Sequence, residues 1–343
     1  MNVAINGMGR IGKAILRLLI NEPNFKVKAI NDINKDIENI VYTIKYDSIN
    51  GKLANDIYAK KNSIFINSKE IKFFSRKKIN QINWKKENID ILIDSSGTYE
   101  NAKILSSEKL CNLNIITHAV YDIKQYKTLV FGVNDKNFKF EKKNLISSSI
   151  CDSVAFAPLY KLLDQHYNII GGNLITLHPW LQYQNLLDGK SAQWSVPGDT
   201  NSHYALGRSS INNLIPKSTS AVNAASLVIP GIKKKISSFS YRIPTGIISS
   251  GVLNLNIKNN TNKTEVINII QNFINKQKNR IFKINNDPLV STDYINEKYS
   301  AIIDARFINA KNKFISIMFW YDNELGYSSK IIDILKKFKN QID

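Results

Sequence analysis

The chain of 343 residues contains two cysteines, Cys111 and Cys151, too few for a disulfide framework and in keeping with a reducing compartment. No stretch approaches the roughly 18 consecutive apolar residues of a membrane-spanning helix. The opening MNVAINGMGRIGK has no basic flank, apolar block or small-residue cleavage site, so no secretory signal is expected, and a cytoplasmic location is. Arginine is scarce too. Lysine and arginine number 47 against 28 acidic residues, a formal net charge of +19, yet only seven of the 47 are arginine. Readers of bases and phosphates lean on arginine's planar fork. The lysines are scattered, with short clusters such as KKK at 233–235 and no long basic tail. Asparagine occurs 43 times, and enrichment in Lys, Asn and Ile is what an AT-rich coding sequence produces. The charge is therefore read as a solvated, biased surface, and nucleic acid is not expected as a main partner. There is no internal repeat and no cysteine–histidine spacing of a zinc site, so no metal is expected.

With 43% hydrophobic and 22% charged residues, the chain can bury a large core, and its length suits two domains. The first 150 residues alternate short apolar runs with helical patterns: VAIN at 3–6, RIGKAILRLLI, KVKAIND, ILIDSSG at 91–97 and NLISSS at 144–149. In the first helix Ile11, Ile15, Leu18 and Leu19 fall on one face. This pattern predicts an α/β domain on a mainly parallel sheet. After CDSVAFAPLYKLLDQHY the candidates NLITLHPW, SSFSYRIP, GVLNLNIK and FISIMFWYD are longer strands, with a helix at KTEVINIIQNFINKQK. A second, α+β domain with a large, mostly antiparallel sheet is expected. The segment YSSKIIDILKKFKNQ reads as an amphipathic helix, and 188–203 is the most loop-like stretch.

Gly7, Gly9 and Gly12 form GMGRIG between the first strand and the first helix. Glycines there permit a tight turn, close approach of backbone to a pyrophosphate, and close helix–strand packing, with free helix amides facing the phosphates. Asp32 ends the second strand, 20 residues after Gly12. A carboxylate there accepts from ribose hydroxyls and repels a 2′-phosphate, which predicts NAD rather than NADP in a Rossmann-type domain.

Cys151 lies in SSSICDSVAFAPL, where a strand gives way to a helix. The helix dipole and free amides there can stabilise a thiolate and lower its pKa. His178, in ITLHPW, follows a strand and can exchange a proton. From these residues alone, a cysteine near a helix start is more often a buried small apolar residue. His118, His166 and His203 have no comparable setting and are taken as structural or surface residues.

From end to end the chain resembles the phosphorylating glyceraldehyde-3-phosphate dehydrogenases. INGMGRIG, ND at 31–32, IKYDSINGK, FGVN, the cysteine followed by APL, LIPKSTSA, RIPT and WYDNELGYS at 320–328 occur in the family's order. The resemblance implies a Rossmann-type NAD-binding domain over 1–150, completed by a C-terminal helix, 318–343. It implies an α+β catalytic domain over 151–317 and a homotetramer. It assigns Cys151 as nucleophile, His178 as general base and Asn323 to the nicotinamide carboxamide. Gly7, Gly9, Arg10, Ile11, Gly12 and Asp32 become cofactor contacts, with Ser95 and Gly97 on the adenosine side. Thr219 and Arg242 hold substrate or inorganic phosphate, and Asp152, Arg208 and Ser220 occupy further phosphate-site positions. The implied reaction is NAD-dependent oxidation of glyceraldehyde 3-phosphate, or a close sugar-phosphate aldehyde, to an acyl phosphate through a cysteine thioester. The alternatives are a related dehydrogenase using another aldehyde or water as acyl acceptor, and a low-activity NAD-binding regulatory protein.

The departures cluster at the phosphate machinery. Where the family reads S-C-T-T-N-C, this chain has Ile150, Cys151, Asp152, Ser153, Val154 and Ala155. A carboxylate replaces a threonine hydroxyl beside the nucleophile. A like charge about 4 Å away costs about 1 kcal/mol in water and about 4 at an effective dielectric of 20, and raises the thiol pKa. Alternatively, Asp152 complements the helix start and points away. After His178 the family's A-Y-T is Pro179, Trp180, Leu181, the segment 178–216 is longer than its counterpart, and Ser220 replaces a glycine. Trp194, inside the lengthened loop, is expected to pack on a neighbouring subunit or over the cofactor cleft.

Overall fold

The computed structural model describes residues 1–121, 125–141, 144–191 and 203–342, so Trp194 and the expectation about it lie outside the described residues. The chain forms two compact units, one comprising Met1–Leu129, Asn137–Ser149 and Ser328–Asp343, the other Val130–Lys136 and Ile150–Tyr327.

In the first unit the alternating apolar runs become β1 (Asn2–Asn6), α1 (Arg10–Leu19), β2 (Lys26–Asn31), α2 (Ile37–Lys45), β3 (Ile57–Lys60), β4 (Ser63–Ile66), β5 (Lys69–Phe74), β6 (Ile91–Asp94), α3 (Tyr99–Glu108), β7 (Leu113–Ile116), β8 (Lys127–Thr128) and β9 (Asn144–Ser147). They build a sheet ordered β3-β4-β5-β2-β1-β6-β7-β9-β8. Neighbours from β5 through β9 run parallel, while β3, β4 and β5 form an antiparallel edge. Strands β6, β7 and β9 are buried throughout, because helices on both faces of a parallel sheet leave no solvent side. The strand order reverses between β1 and β6, the position at which open α/β sheets bind ligands.

Helix α1 buries Gly12, Ala14, Ile15, Leu16 and Leu19, so that of the expected face Ile15 and Leu19 are buried while Ile11 and Leu18 are only half-buried. The glycine sets the rotation: a Cβ on Gly12 would stand 2.0 Å from the Gly7 carbonyl oxygen. Gly12 must therefore face the strand, and Ile15, Leu16 and Leu19 follow at one and two turns. Burying each such side chain contributes about 1.5–3 kcal/mol.

The second unit contains α4 (Cys151–Tyr167), β10 (Ile169–Pro179), β11 (Ile215–Lys217), α5 (Ala221–Ala225), β12 (Ile236–Ile243), β13 (Ser249–Asn262), α6 (Lys263–Lys276), β14 (Phe282–Asn285) and β15 (Ala301–Tyr321). Its sheet runs β11-β12-β10-β13-β15-β14. Pairings β10–β13, β13–β15 and β11–β12 are antiparallel, whereas β10–β12 and β14–β15 are parallel. Asn262 caps α6 by accepting from the Glu265 amide at 3.0 Å. The last helix, α7, spans Leu325–Ile342. Residues 318–321, expected within it, instead finish β15, where alternate side chains are buried. Asp322 then stops the strand by accepting the amides of Glu324 and Leu325 at 2.9 and 2.7 Å. No helix among the described residues is long and apolar enough to cross a membrane.

Candidate active site

At the end of β1, Gly7 adopts φ +96° and packs so tightly on β6 that a Cβ would lie 2.6 Å from the Ser96 amide nitrogen. Gly9, the residue before α1, faces open space, with nothing within 4 Å of an added Cβ. Being glycine, it gives α1 no side-chain cap, and a helix N-terminus there carries the positive end of the helix dipole, which favours an anion. Asp32 is half-buried at the end of β2 and accepts the Met8 amide at 2.6 Å and the Asn34 amide at 2.8 Å. Ser95 donates to the Gly7 carbonyl at 2.8 Å, so its hydroxyl braces the glycine turn. The Arg10 guanidinium is held by Asp47, whose carboxyl drops to about 2 because that bond and the amides of Asn50 and Ile49 outweigh burial. Ile11 is half-buried, and Gly97 turns at φ +68°.

The second set of residues assembles around α4. Ser149 takes a left-handed φ of 62°, an unfavourable conformation for a non-glycine residue, and turns the chain from β9 into α4 with Cys151 as first helical residue. Strand β10 ends at His178 and Pro179, registered beside Arg242 and Ile243 of β12. Strand β11 carries Lys217 beside Ser240, and β15 ends at Tyr321, opposite Ser249.

Cys151 Sγ lies 3.7 Å from His178 Nε2 and 3.4 Å from Asp152 Oδ1. The other imidazole nitrogen, Nδ1, stands 3.0 Å from the Pro179 carbonyl. A proton on Nδ1 would donate there and leave Nε2 as the acceptor facing sulfur. Asp152 is 7% exposed and points inward. Its Oδ1 accepts from the Tyr321 hydroxyl at 2.8 Å, and its Oδ2 accepts from Thr219 Oγ1 at 3.3 Å. The reading in which Asp152 merely decorates the helix start is thereby excluded. His178 Nε2 to Asp152 Oδ1 is 3.9 Å.

Burial, followed by Asp152's charge and its hydrogen bond, pushes the Cys151 thiol well above its ordinary value, although the Asp152 amide and Arg242 oppose this. The expected lowering by the helix start is outweighed. Asp152 itself is lowered: burial opposes ionisation, but His178, the Tyr321 hydroxyl and Arg242 favour the carboxylate. His178 falls to about 4, through burial and then Arg242. Lys217 is also lowered, by burial and Arg242. At neutral pH the site holds a thiol, a neutral imidazole and one carboxylate facing two basic side chains.

The structure therefore brings Cys151, Asp152, His178, Thr219 and Arg242 together. Tyr321, which the motif reading did not assign, joins them together with Lys217; Tyr321 lies in the quoted WYDNELGYS and Lys217 in LIPKSTSA. The ligand atoms of Cys151, Asp152 and His178 fall within 4.8 Å of one another, a trio invisible in linear spacing, but the neighbouring Arg242 and Lys217 suit an anion better than a cation. Arg208 goes elsewhere: its exposed guanidinium pairs with Asp188 at 2.7 Å. Ser220 is exposed ahead of α5. Arg242 donates to the Pro179 carbonyl at 3.2 Å while its Nε is buried without a partner. Asn323 is 8% exposed, with Oδ1 likewise unpartnered.

Residues 1–102 match the family profile described as glyceraldehyde 3-phosphate dehydrogenase, NAD binding domain, and 150–323 match its C-terminal domain. Among similar proteins, a glyceraldehyde-3-phosphate dehydrogenase of Buchnera aphidicola is 32% identical over 337 residues, 98% of each chain. One from Eremothecium gossypii is 31% identical over 341 residues, again 98% of each chain. Glyceraldehyde-3-phosphate dehydrogenase 2 of Mucor circinelloides is 32% identical, covering 97% of this chain and 96% of its own.

Proposed function

This chain belongs to the glyceraldehyde-3-phosphate dehydrogenase family, and from that premise we infer that it oxidises glyceraldehyde 3-phosphate with NAD, forming a Cys151 thioester that inorganic phosphate converts to an acyl phosphate. The observation that carries this reading is the pairing of Cys151 Sγ with His178 Nε2 at 3.7 Å. It also speaks against a purely regulatory NAD-binding protein, which needs neither group. We take 1–150 with the C-terminal helix as the NAD-binding domain and the chain from Cys151 onward as the catalytic one.

The residues fit NAD. Open space at Gly9, the N-terminus of α1 and the Asp32 carboxylate suit the pyrophosphate and adenosine ribose. Gly7 and Gly12 shape that turn, Arg10 and Ile11 contribute helix-start backbone, and Ser95 and Gly97 belong to the adenosine side. The unpartnered Oδ1 of Asn323 suits the amide of the nicotinamide carboxamide. When bound, NAD supplies the hydride acceptor.

Cys151 sulfur attacks the aldehyde carbon, and its proton moves by way of His178 Nε2, 3.7 Å away, to the aldehyde oxygen, which becomes the hydroxyl of a hemithioacetal. His178 Nε2 takes the hydroxyl proton of the hemithioacetal as the carbon is oxidised to the thioester. Arg242 and Lys217 hold the anionic groups, while the Thr219 hydroxyl is engaged by Asp152. The unpartnered Nε of Arg242 is a donor ready for a phosphate oxygen. NADH formation from glyceraldehyde 3-phosphate, NAD and phosphate tests the reading; a purified protein that binds NAD yet forms no NADH with this or related aldehydes sinks it. We further assign a homotetramer, which the exposure of Leu186, Leu187 and Tyr204 at 67%, 75% and 77% supports, and a cytoplasmic location. Light scattering that finds a stable, active monomer would remove the tetramer.

A further inference from the structure

We propose that Asp152 gives this enzyme a second acyl acceptor, water: its carboxylate takes a proton from a water molecule attacking the Cys151 thioester, and a carboxylic acid is released without inorganic phosphate. The proposal rests on the reading that Cys151 forms a thioester.

The carboxylate is held where such a base is needed. Oδ1 lies 3.4 Å from Cys151 Sγ and accepts from Tyr321 at 2.8 Å, while Oδ2 accepts from Thr219 at 3.3 Å. Two hydroxyl donors on separate elements fix it, and at 7% exposure it has little room to turn away. In the free enzyme the thiol proton satisfies the side of Oδ1 that faces sulfur. Acylation removes that proton. A buried carboxylate oxygen then loses a donor whose absence costs about 1.5–3 kcal/mol, and a water is the small donor able to replace it. The acyl carbon is one bond from Sγ, so a water donating to Oδ1 on this side stands beside that carbon, the placement general-base catalysis through one water requires.

The same contacts work against phosphate. Asp152 occupies the Thr219 hydroxyl that would donate to an anion, and its charge offsets one of the two cations, Arg242 and Lys217, that face the cluster. Water carries no charge and loses nothing by that cancellation. In the step itself, the water oxygen bonds to the acyl carbon and one water proton passes to Asp152. The carbon–sulfur bond breaks, and the departing sulfur takes that proton back as a thiol. The second water proton leaves as the acid product ionises.

The test is turnover in phosphate-depleted buffer with glyceraldehyde 3-phosphate and NAD, with products followed by phosphorus NMR. The expected result is NADH well beyond one equivalent per subunit, matched by free carboxylic acid. Asp152→Asn, which keeps the shape, should slow this phosphate-free turnover about 100-fold while acylated protein accumulates by mass spectrometry. Asp152→Thr should do the same and make NADH formation depend on added phosphate. One equivalent of NADH followed by arrest in the unmodified enzyme overturns the proposal but leaves the thioester reading intact. Undiminished phosphate-free turnover in both variants also overturns it. No NADH at all, burst included, removes the dehydrogenase reading and this proposal with it.

Discussion

The glycine turn of the first unit and the Cys151 cluster of the second are built by opposite means. The turn uses backbone: amides at the start of α1, a left-handed Gly7, and a Gly12 whose hydrogen is all that fits against the Gly7 carbonyl. The cluster uses side chains from five separate elements or their ends: α4, β10, β11, β12 and β15. A backbone site keeps its chemistry as long as its glycines remain. A side-chain site changes character with a single replacement, and a carboxylate at position 152 has rewired the hydroxyls of Tyr321 and Thr219 and the acidity of Cys151. The glycine turn thus keeps the motif expected from the sequence, while the Cys151 cluster carries the carboxylate that departs from it.

The largest effect should separate the two sites cleanly. Cys151→Ala is expected to reduce turnover by about four orders of magnitude or more, the scale seen when a nucleophile is deleted. NAD affinity measured by calorimetry should stay nearly unchanged, and a variant retaining full activity would take Cys151 out of the mechanism.

Asp152→Thr comes next. Restoring a hydroxyl donor and removing a charge should lower the phosphate KM by about 10- to 150-fold, the equivalent of 1.5–3 kcal/mol for one hydrogen bond to a charged group. Because Asp152 raises the Cys151 pKa, the same variant should be alkylated by iodoacetamide at lower pH. An unchanged phosphate KM would mean the anion sits away from Asp152.

Within the glycine turn, Gly9→Ala and Gly12→Ala should part company. A Cβ at Gly9 meets nothing within 4 Å, so thermal stability should hold while NAD binding weakens about tenfold, or 1.4 kcal/mol. A Cβ at Gly12 meets backbone at 2.0 Å, so that variant should lose about 1–3 kcal/mol of stability. Equal NAD affinity in Gly9→Ala and the unmodified protein would argue that the pyrophosphate lies elsewhere. Steady-state kinetics should also favour NAD over NADP, and Asp32→Ala should narrow that preference; a higher kcat/KM with NADP in the unmodified protein would reverse the assignment.

The smallest effect concerns pH. His178 is depressed from 6.5 to about 4, so between those values the unfolded chain binds more protons than the native one. Its contribution to stability is full above pH 6.5 and is lost as pH falls toward 4. Asp152, also depressed, loses its contribution in the same direction at still lower pH. Denaturation midpoints should decline over this range, less steeply in His178→Asn.

Much of this was legible before any coordinates. The alternation of short apolar runs marks a parallel sheet, GMGRIG followed by Asp32 marks the cofactor turn, and the ordered motifs single out Cys151, His178, Thr219, Arg242 and Asn323. These features are local: a glycine between a strand and a helix, or a carboxylate ending a strand, carries its meaning within a few residues. The sequence alone left undecided whether Asp152 turns toward the sulfur or away from it. It also placed Arg208 with the phosphate ligands, although Arg208 pairs with Asp188 at the surface, and gave Tyr321 no role. It put Ile11 and Leu18 on the inner face of α1 because hydrophobicity alone cannot see a glycine pressed on a carbonyl. Each of these depends on groups far apart in the chain, such as Asp152 and Tyr321, 169 positions apart yet 2.8 Å apart in space. What the sequence determined by itself was the fold and the strand–glycine–helix turn, with Cys151 singled out by its motif; the acidity of that cysteine, and the carboxylate that faces it, were decided only where buried groups from separate elements had to satisfy one another.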